Sequence, residues 1–468
     1  LPGKSRRHPW RGAGRESSVS HNQPSQPSPA GANDHYAVFR IRDFRLYLTG
    51  RLVAVLGQQM LTVAVGWELY ERTHSPLALG IVGLVEMIAM VCCTLPAGHL
   101  ADNLARKRII LTALLTPSSA SLGLTLISWT NAPVAWIYAC LFTTSAARTF
   151  LWPASSAFLT SLVPRELFPR AVTWNSGTFQ LSSVAGPALG GAFIALFHKF
   201  SVHPAAFIYG ISFLTALTCF FCVKNVHAHH EVKNPEPMSL KSFATGFRFI
   251  FAQRLILGMI TMDMFAVFLG GANALLPVFA KDILHAGPGG LGLLQAALPM
   301  GAVLCALWLA HRPPLQRAGR ALLWCVLAFG VATILFGVFN EHALGRWLGI
   351  SLPGAVWFWL SFAMLFVCGA VDNVSVVVRH TSVQLLTPDD KRGRVSSVNS
   401  LFIGTSNELG GFESGFVAQL LGPTLGNAIS TGAILSVVSG GFGTILVVAA
   451  VAWFWPEIRK YGRLTGNL

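Results

Sequence analysis

The most constraining feature of this 468-residue chain is its long apolar runs, such as GIVGLVEMIAMVCCTLPAG (80–98) and GGFGTILVVAAVAWFW (440–455). A helix needs roughly 20 apolar residues to cross the hydrocarbon core of a bilayer. In that core only an α-helix or a closed β-barrel satisfies its own backbone N–H and C=O groups. Barrel strands alternate apolar and polar residues over about ten positions, whereas these runs are continuous. A barrel is therefore excluded, and an all-α polytopic membrane protein is expected. Composition points the same way: 53% of the residues are hydrophobic and 11% charged, against about 25% charged in soluble domains. A soluble enzyme, a disordered protein and a nucleic-acid binder are all disfavoured.

Twelve spans are expected, at about 47–71, 77–98, 109–130, 134–161, 171–198, 204–223, 254–280, 289–310, 321–340, 354–386, 395–421 and 428–455. The longest gap, 224–253, is polar and Pro-containing and divides six spans from six. This gives a Ser/Pro/Gly/Arg-rich disordered tail (1–35), an N-terminal half (36–223), a linker (224–253), a C-terminal half (254–456) and a short tail (457–468). No apolar h-region follows the early basic cluster, so residues 1–35 do not read as a secretory signal. With the first tail inside, five inner loops hold sixteen Lys and Arg and six outer loops hold four (Arg72, Lys199, Lys281 and Arg346). That asymmetry follows the positive-inside rule, and it accounts for the net charge of +15 without a nucleic-acid partner. Both termini are expected to be cytoplasmic, in an inner (plasma) membrane.

The eight cysteines all lie in apolar runs, so packing is expected rather than a disulfide framework. Cys219 and Cys222 have no partner pair that would make a redox or metal motif. The run His227 to His230 reads as a solvated linker rather than a metal site, and no phosphate-binding loop is present. No cofactor and no metal are expected.

A shift of 224 residues maps Pro164, Arg170, Asn175, Gly186 and Gly191 onto Pro388, Arg394, Asn399, Gly410 and Gly415. Spans 5 and 11 are then the same element in two related halves, a recurring plan among transporters. The loop after span 2, GHLADNLARKR, resembles the signature loop of the major facilitator superfamily through Gly98, Asp102, Arg106 and Lys107, with Asn103 in place of the usual Arg. The resemblance implies a cytoplasmic latch, with the Asp near the start of span 11, where a helix N-terminus stabilises a carboxylate. SSVAGPALGG in span 5 resembles the antiporter motif of that family's exporters through Gly186, Pro187, Gly190 and Gly191. The stretches SPLALGIVGLVE, RTFLWPASSAFLTSLVPRE and KRGRVSSVNSLF are similar to the enterobactin-exporter and macrolide-efflux branch. Members of that branch often carry an acidic residue in the middle of span 1; here Gln58 and Gln59 stand there.

Charged residues within spans usually face a cavity or a partner. Arg148 and Asp372 are related by the same 224-residue shift, on spans 4 and 10. The resemblance implies that spans 1, 4, 7 and 10 line a central cavity. Arg148, Trp152 and Ser155 share one helix face, as do Asp372, Ser375 and Arg379. Arg148, Asp263 and Asp372 are therefore expected to face the cavity, either as an ion pair between Arg148 and a carboxylate that holds the halves together or as contacts to substrate. The candidate substrate residues are Gln58, Gln59, Arg148, Trp152, Asp263, Asp372 and Arg379, with Trp67, Phe179 and Phe265 as further aromatic walls. Burial disfavours a charged carboxylate, so Glu86, Asp263, Asp372 and Glu408 are the candidate proton carriers, with Glu413 a rival. Glu408 also lies on a stripe with Gly404, Gly411 and Gly415, which fits a helix interface equally well.

The expected protein is not an enzyme. It is a secondary transporter, monomeric, that exports an amphipathic, drug-like or siderophore-like small molecule in exchange for protons, by alternating access. The alternatives are a lipid or lysophospholipid flippase, a uniporter without proton coupling, and, in another class, a transport-inactive membrane receptor. The orientation has a direct check. In a background stripped of native cysteines, Lys233→Cys should react with an impermeant maleimide only from the cytoplasm, and Lys199→Cys only from outside.

Overall fold

The computed structural model describes residues 36–103, 106–200, 203–226, 240–313, 315–346, 349, 351–388 and 391–462. Within these, the side chains of 95, 98–103, 106, 152–153, 156–157 and 240–243 lie outside the description. The described chain is helical, without a strand. The first six long helices are α1 (Arg42–Thr73), α2 (Pro76–Asn103), α3 (Arg106–Thr130), α4 (Ala135–Leu162), α5 (Phe168–Phe197) and α6 (Pro204–Lys224). An amphipathic helix α7 (Leu240–Ala252) follows, then α8 (Arg254–Leu269), α9 (Gly287–Ala310), α10 (Ala318–Val338), α11 (Gly354–Leu386), α12 (Arg392–Leu421), α13 (Ile429–Phe454) and the short α14 (Pro456–Lys460). Ten of these helices are individually long and apolar enough to cross a membrane, α8 being counted through its broken continuation to Ile283. With α4 (28 residues) and α12 (30 residues), which pack among them, they form a twelve-helix membrane bundle.

Short local signals set the helix ends. His74 closes α1 in the left-handed conformation (φ 47°) and its N–H donates to Tyr70 O, after which Pro76 opens α2. Pro204 opens α6 in the same way. One difference from the sequence reading is in the linker, where 240–252 form a helix rather than an irregular connection. Its sequence LKSFATGFRFIFA places Ile250 and Gly246 inward and Phe247, Arg248 and Phe251 outward. Span 7 is likewise interrupted, because Gly270 and Gly271 leave the helical path before the turns from Ala272 to Ile283.

The connectivity of the packing has two-fold regularity. In the first half α1 packs on α5 and α6, and α4 on α2 and α3. In the second half α8 packs on α12 and α13, while α11 packs on α9 and α10. Two seams join the halves, α5 against α9 and α2 against α12. Glycines make both seams. A Cβ at Gly191 would stand 2.8 Å from Gly292 Cα, and one at Gly415 would stand 2.7 Å from Gly80 Cα. Gly191 and Gly415 are the pair related by the 224-residue shift. Most Arg and Lys side chains, from Arg42 and Arg45 through Lys107 and Arg254 to Arg392, mark one end of the bundle, here the basic end. Both glycine contacts lie toward the opposite, far end.

Polar contacts across the halves collect at the far end as well. The Tyr70 hydroxyl donates to Asp282, Lys281 Nζ stands 4.0 Å from Glu71 Oε1, and Ser75 Oγ donates to Gln419 Oε1 at 3.1 Å. The same Lys281 lies 5.8 Å above the rings of Trp67 and Tyr70. At the basic end, by contrast, Lys107 Nζ donates to Lys224 O (2.8 Å) and Val226 O (2.6 Å), at the end of α6 and just beyond it, and so does not reach the second half. The described conformation is thus drawn together at the far end.

Gly191→Leu and Gly415→Leu should each push a side chain into facing backbone, a cost of about 1–3 kcal/mol by overpacking. The check is disulfide yield between Ser75→Cys and Gln419→Cys in a cysteine-free background: it should fall in both variants relative to the parent.

Candidate functional site

At mid-depth α2, α4 and α12 bring three charged side chains together. The Glu86 and Glu408 carboxyls, on α2 and α12, lie within hydrogen-bonding reach of each other, and the Arg148 guanidinium on α4 is near both. Arg148 Nη1 is 4.0 Å from Glu86 Oε2. The sequence places them there because each helix offers a small neighbour. A Cβ at Gly83 would run into Glu408 O, so α2 and α12 touch backbone to backbone one turn from Glu86. Ser145 Oγ donates to Glu86 O at 3.0 Å and ties α4 to α2 one turn from Arg148. The Arg148 side chain is 56% exposed while Glu86 is 19% exposed. A half-exposed arginine at the centre of a spanning helix is tolerated where it lines a water-filled cavity. The triad therefore borders the interior space between the halves, and the carboxyl pair bridges them.

The expected grouping of Arg148 with Asp263 and Asp372 is not what the structure places together. Asp263 on α8 is ion-paired with Arg379 on α11, and both side chains are buried. Both belong to the second half, so this pair braces one half rather than joining two. Asp372 is half-buried near Cys325 and Cys368 and makes no ion pair among the described residues. The reason is helix rotation: Asp372 and Arg379 share a face, but that face of α11 runs from α10 at mid-depth to α8 nearer the basic end. Glu413 is half-buried beside Ser414.

Gln58 and Gln59 are half-buried on α1. Gln59 is partly committed to packing, since a Cβ at Gly186 would lie 2.5 Å from Gln59 Cβ. Gly190 lies against Met60, where the same construction gives 2.9 Å to Cα. Gly186 and Gly190 thus seat α5 on α1, Gly191 seats it on α9, and Gly292 meets the Pro187 carbonyl. Lys107 sits at the C-terminal end of α6. Gly98 lies in α2, while the side chains of Asp102, Arg106 and Trp152 and the run His227 to His230 lie outside the description. Trp67 is buried, while Phe179 and Phe265 are exposed. Glu68 is ion-paired within the first half with Arg72 Nε at 3.0 Å. Gly50 packs against Cys222 Cβ, where a Cβ would stand 2.8 Å away. The far-end clasp of Tyr70, Glu71, Lys281 and Asp282 was not legible as a unit; its one sequence signal is opposite charges at span ends in different halves.

Two six-helix units joined along glycine seams, with ionisable groups at mid-depth, define a polytopic membrane transporter. The family model described as Major Facilitator Superfamily matches residues 47–411, and the chain belongs to that family. It is 25% identical over 424 residues to the "Enterobactin exporter EntS" of Escherichia coli O1:K1 / APEC, covering 89% of this chain and 93% of the relative. The protein of that name from Shigella boydii serotype 18 matches at the same identity and coverage. Among solved structures, a bacterial homolog of the human lysosomal transporter Spinster, in an inward-facing and unoccupied conformation, superposes with a TM-score of 0.63 at 16% identity. That match covers 90% of this chain and 98% of the other.

Asp263→Asn should leave Arg379 buried and unpaired, at a cost of about 3–5 kcal/mol. Adding Arg379→Gln should recover most of it. Thermal unfolding in detergent checks the pair: the double variant should melt above the single one.

Proposed function

We propose that this transporter exports an amphipathic, siderophore-like small molecule from the cytoplasm in exchange for protons, and that the Glu86–Glu408 pair carries the coupling. The observation behind this is the position of the pair: two carboxyls meet across the moving seam, with one arginine beside them. Two facing carboxylates repel unless they share a proton. A shared proton therefore favours the arrangement closed at the far end. Loss of that proton, with Arg148 drawn to substrate, favours separation of α2 from α12. The far-end-closed state binds more protons, so a falling pH shifts the equilibrium toward it.

In this reading the basic end is cytoplasmic, the halves 36–223 and 254–456 rock as units, and the described conformation opens inward. A monomer in the inner (plasma) membrane suffices. Substrate enters beside Arg148, whose charge suits an anionic or catechol-like group. Export, rather than uptake, is supported by the names of the curated relatives and by the Gly-Pro-x-x-Gly-Gly run at Gly186 to Gly191.

The test is transport in liposomes with an imposed pH gradient. Glu408→Gln keeps a hydrogen-bonding amide but removes proton sharing. Gradient-driven export should fall at least about tenfold, equivalent to 1.4 kcal/mol, while substrate exchange without a gradient persists. Far-end disulfide yield between Ser75→Cys and Gln419→Cys should rise with falling pH in the parent and be flat in this variant. Gradient dependence unchanged in both Glu86→Gln and Glu408→Gln would sink the coupling, and flux independent of any gradient in the parent would make the protein a uniporter.

A further inference from the structure

A pocket of about 310 Å³ between α7, α8 and α12 has no part in that reading. Phe247, Phe265, Phe268, Leu401, Phe402 and Leu409 form its apolar wall. Of the two hydroxyls there, Ser406 already donates to Ile403 O at 3.0 Å. The volume is at the small end of ligand pockets.

Its direction can be read from α12. Phe402, Thr405, Leu409, Phe416 and Leu420 recur at helical spacing on one face, and that face is apolar and exposed at Phe416 and Leu420. The exposed polar residues Ser400 and Asn407 lie on another face of the helix. The pocket therefore opens on the lipid-facing side of the bundle. Its basic end is closed by α7, which presses tightly on α12: a Cβ at Gly246 would stand 2.8 Å from Arg394 O. Phe247 stacks on Phe251 at 5.1 Å and meets Phe402 at 5.5 Å. Arg248 is exposed beside Phe247 at this end of the pocket. Lys391 Nζ, 5.4 Å above the Phe249 ring, lies across α7 from the pocket, because Phe247 and Phe249 are about 200° apart on the helix.

We propose that this pocket holds an acyl chain of an anionic phospholipid, whose phosphate is held at the basic end by Arg248. An amphipathic helix with aromatic residues on its apolar face and a cation beside them suits the headgroup boundary, and Arg248 gives the site its preference for a negative headgroup. The assignment rests on the membrane fold alone and stands or falls apart from the proton reading.

The experiment is native mass spectrometry of the full chain after equal exposure to dioleoylphosphatidylglycerol and dioleoylphosphatidylcholine. The parent should retain the phosphatidylglycerol preferentially. Arg248→Gln, which disturbs no buried contact, should lower that preference about fivefold, the value of one basic residue near an anionic surface. Thr405→Trp, which fills the pocket, should abolish retention of that lipid with the melting temperature in lipid-free detergent unchanged. Equal retention of both lipids by the parent overturns the proposal. So does undiminished phosphatidylglycerol retention in both variants. Displacement of the lipid by transported compounds, at equal molar amounts, would reassign the pocket to substrate access from the bilayer.

Discussion

Backbone meeting backbone at glycines holds the two halves of this transporter against each other. In a bilayer no hydrophobic force drives one apolar helix onto another, because lipid tails are as apolar as leucine, so close approach of small residues supplies the attraction. Gly191 on Gly292, Gly80 on Gly415 and Gly83 on the Glu408 carbonyl are close approaches of this kind across the halves. Everything else at the far end depends on it. Tyr70 reaches Asp282, and Ser75 reaches Gln419, because the seams bring the helix ends within side-chain range. A contact of this kind is also reversible. It buries little polar surface and can be exchanged for lipid or water without leaving a charge exposed.

The ionisable groups divide by which boundary they span. Asp263 with Arg379, and Glu68 with Arg72, are ion-paired within one half. Such pairs keep their partners through a rigid-body movement and act as braces. Glu86 with Glu408 is different, since its two members ride on different halves. Any movement that opens the α2–α12 seam must change their separation and hence their mutual repulsion. An ion can drive a conformational equilibrium only through a difference in affinity between the states, and a carboxyl pair shared between two halves meets that condition under the proposed rocking, where a buried intra-half pair does not.

Much of this architecture was legible in the chain itself. The continuous apolar runs placed the spanning helices to within a few residues, and α7 and the break at Gly270 and Gly271 were missed for identifiable reasons. Residues 240–252 are too short and too basic to register as a span, and their period-3.6 pattern of aromatic residues is masked by the polar sequence before it. The two glycines were absorbed into an apolar stretch that hydropathy alone reads as unbroken. Glu408 was placed on a small-residue stripe, and that stripe is indeed where α12 meets α2.

Residue types and their spacing determined which segments cross the membrane, how many there are, and that spans 5 and 11 repeat one another, because burial of backbone in lipid admits so few solutions. They also determined which charged groups would need partners. Only the tertiary structure decided the partners. Asp263 went to Arg379 rather than to Arg148, and Glu86 met Glu408 from more than 300 residues away. Those choices depend on the rotation of each helix about its axis and on its height in the bundle. Both are set by interlocking of many small contacts around the whole helix, and no local stretch of sequence encodes them.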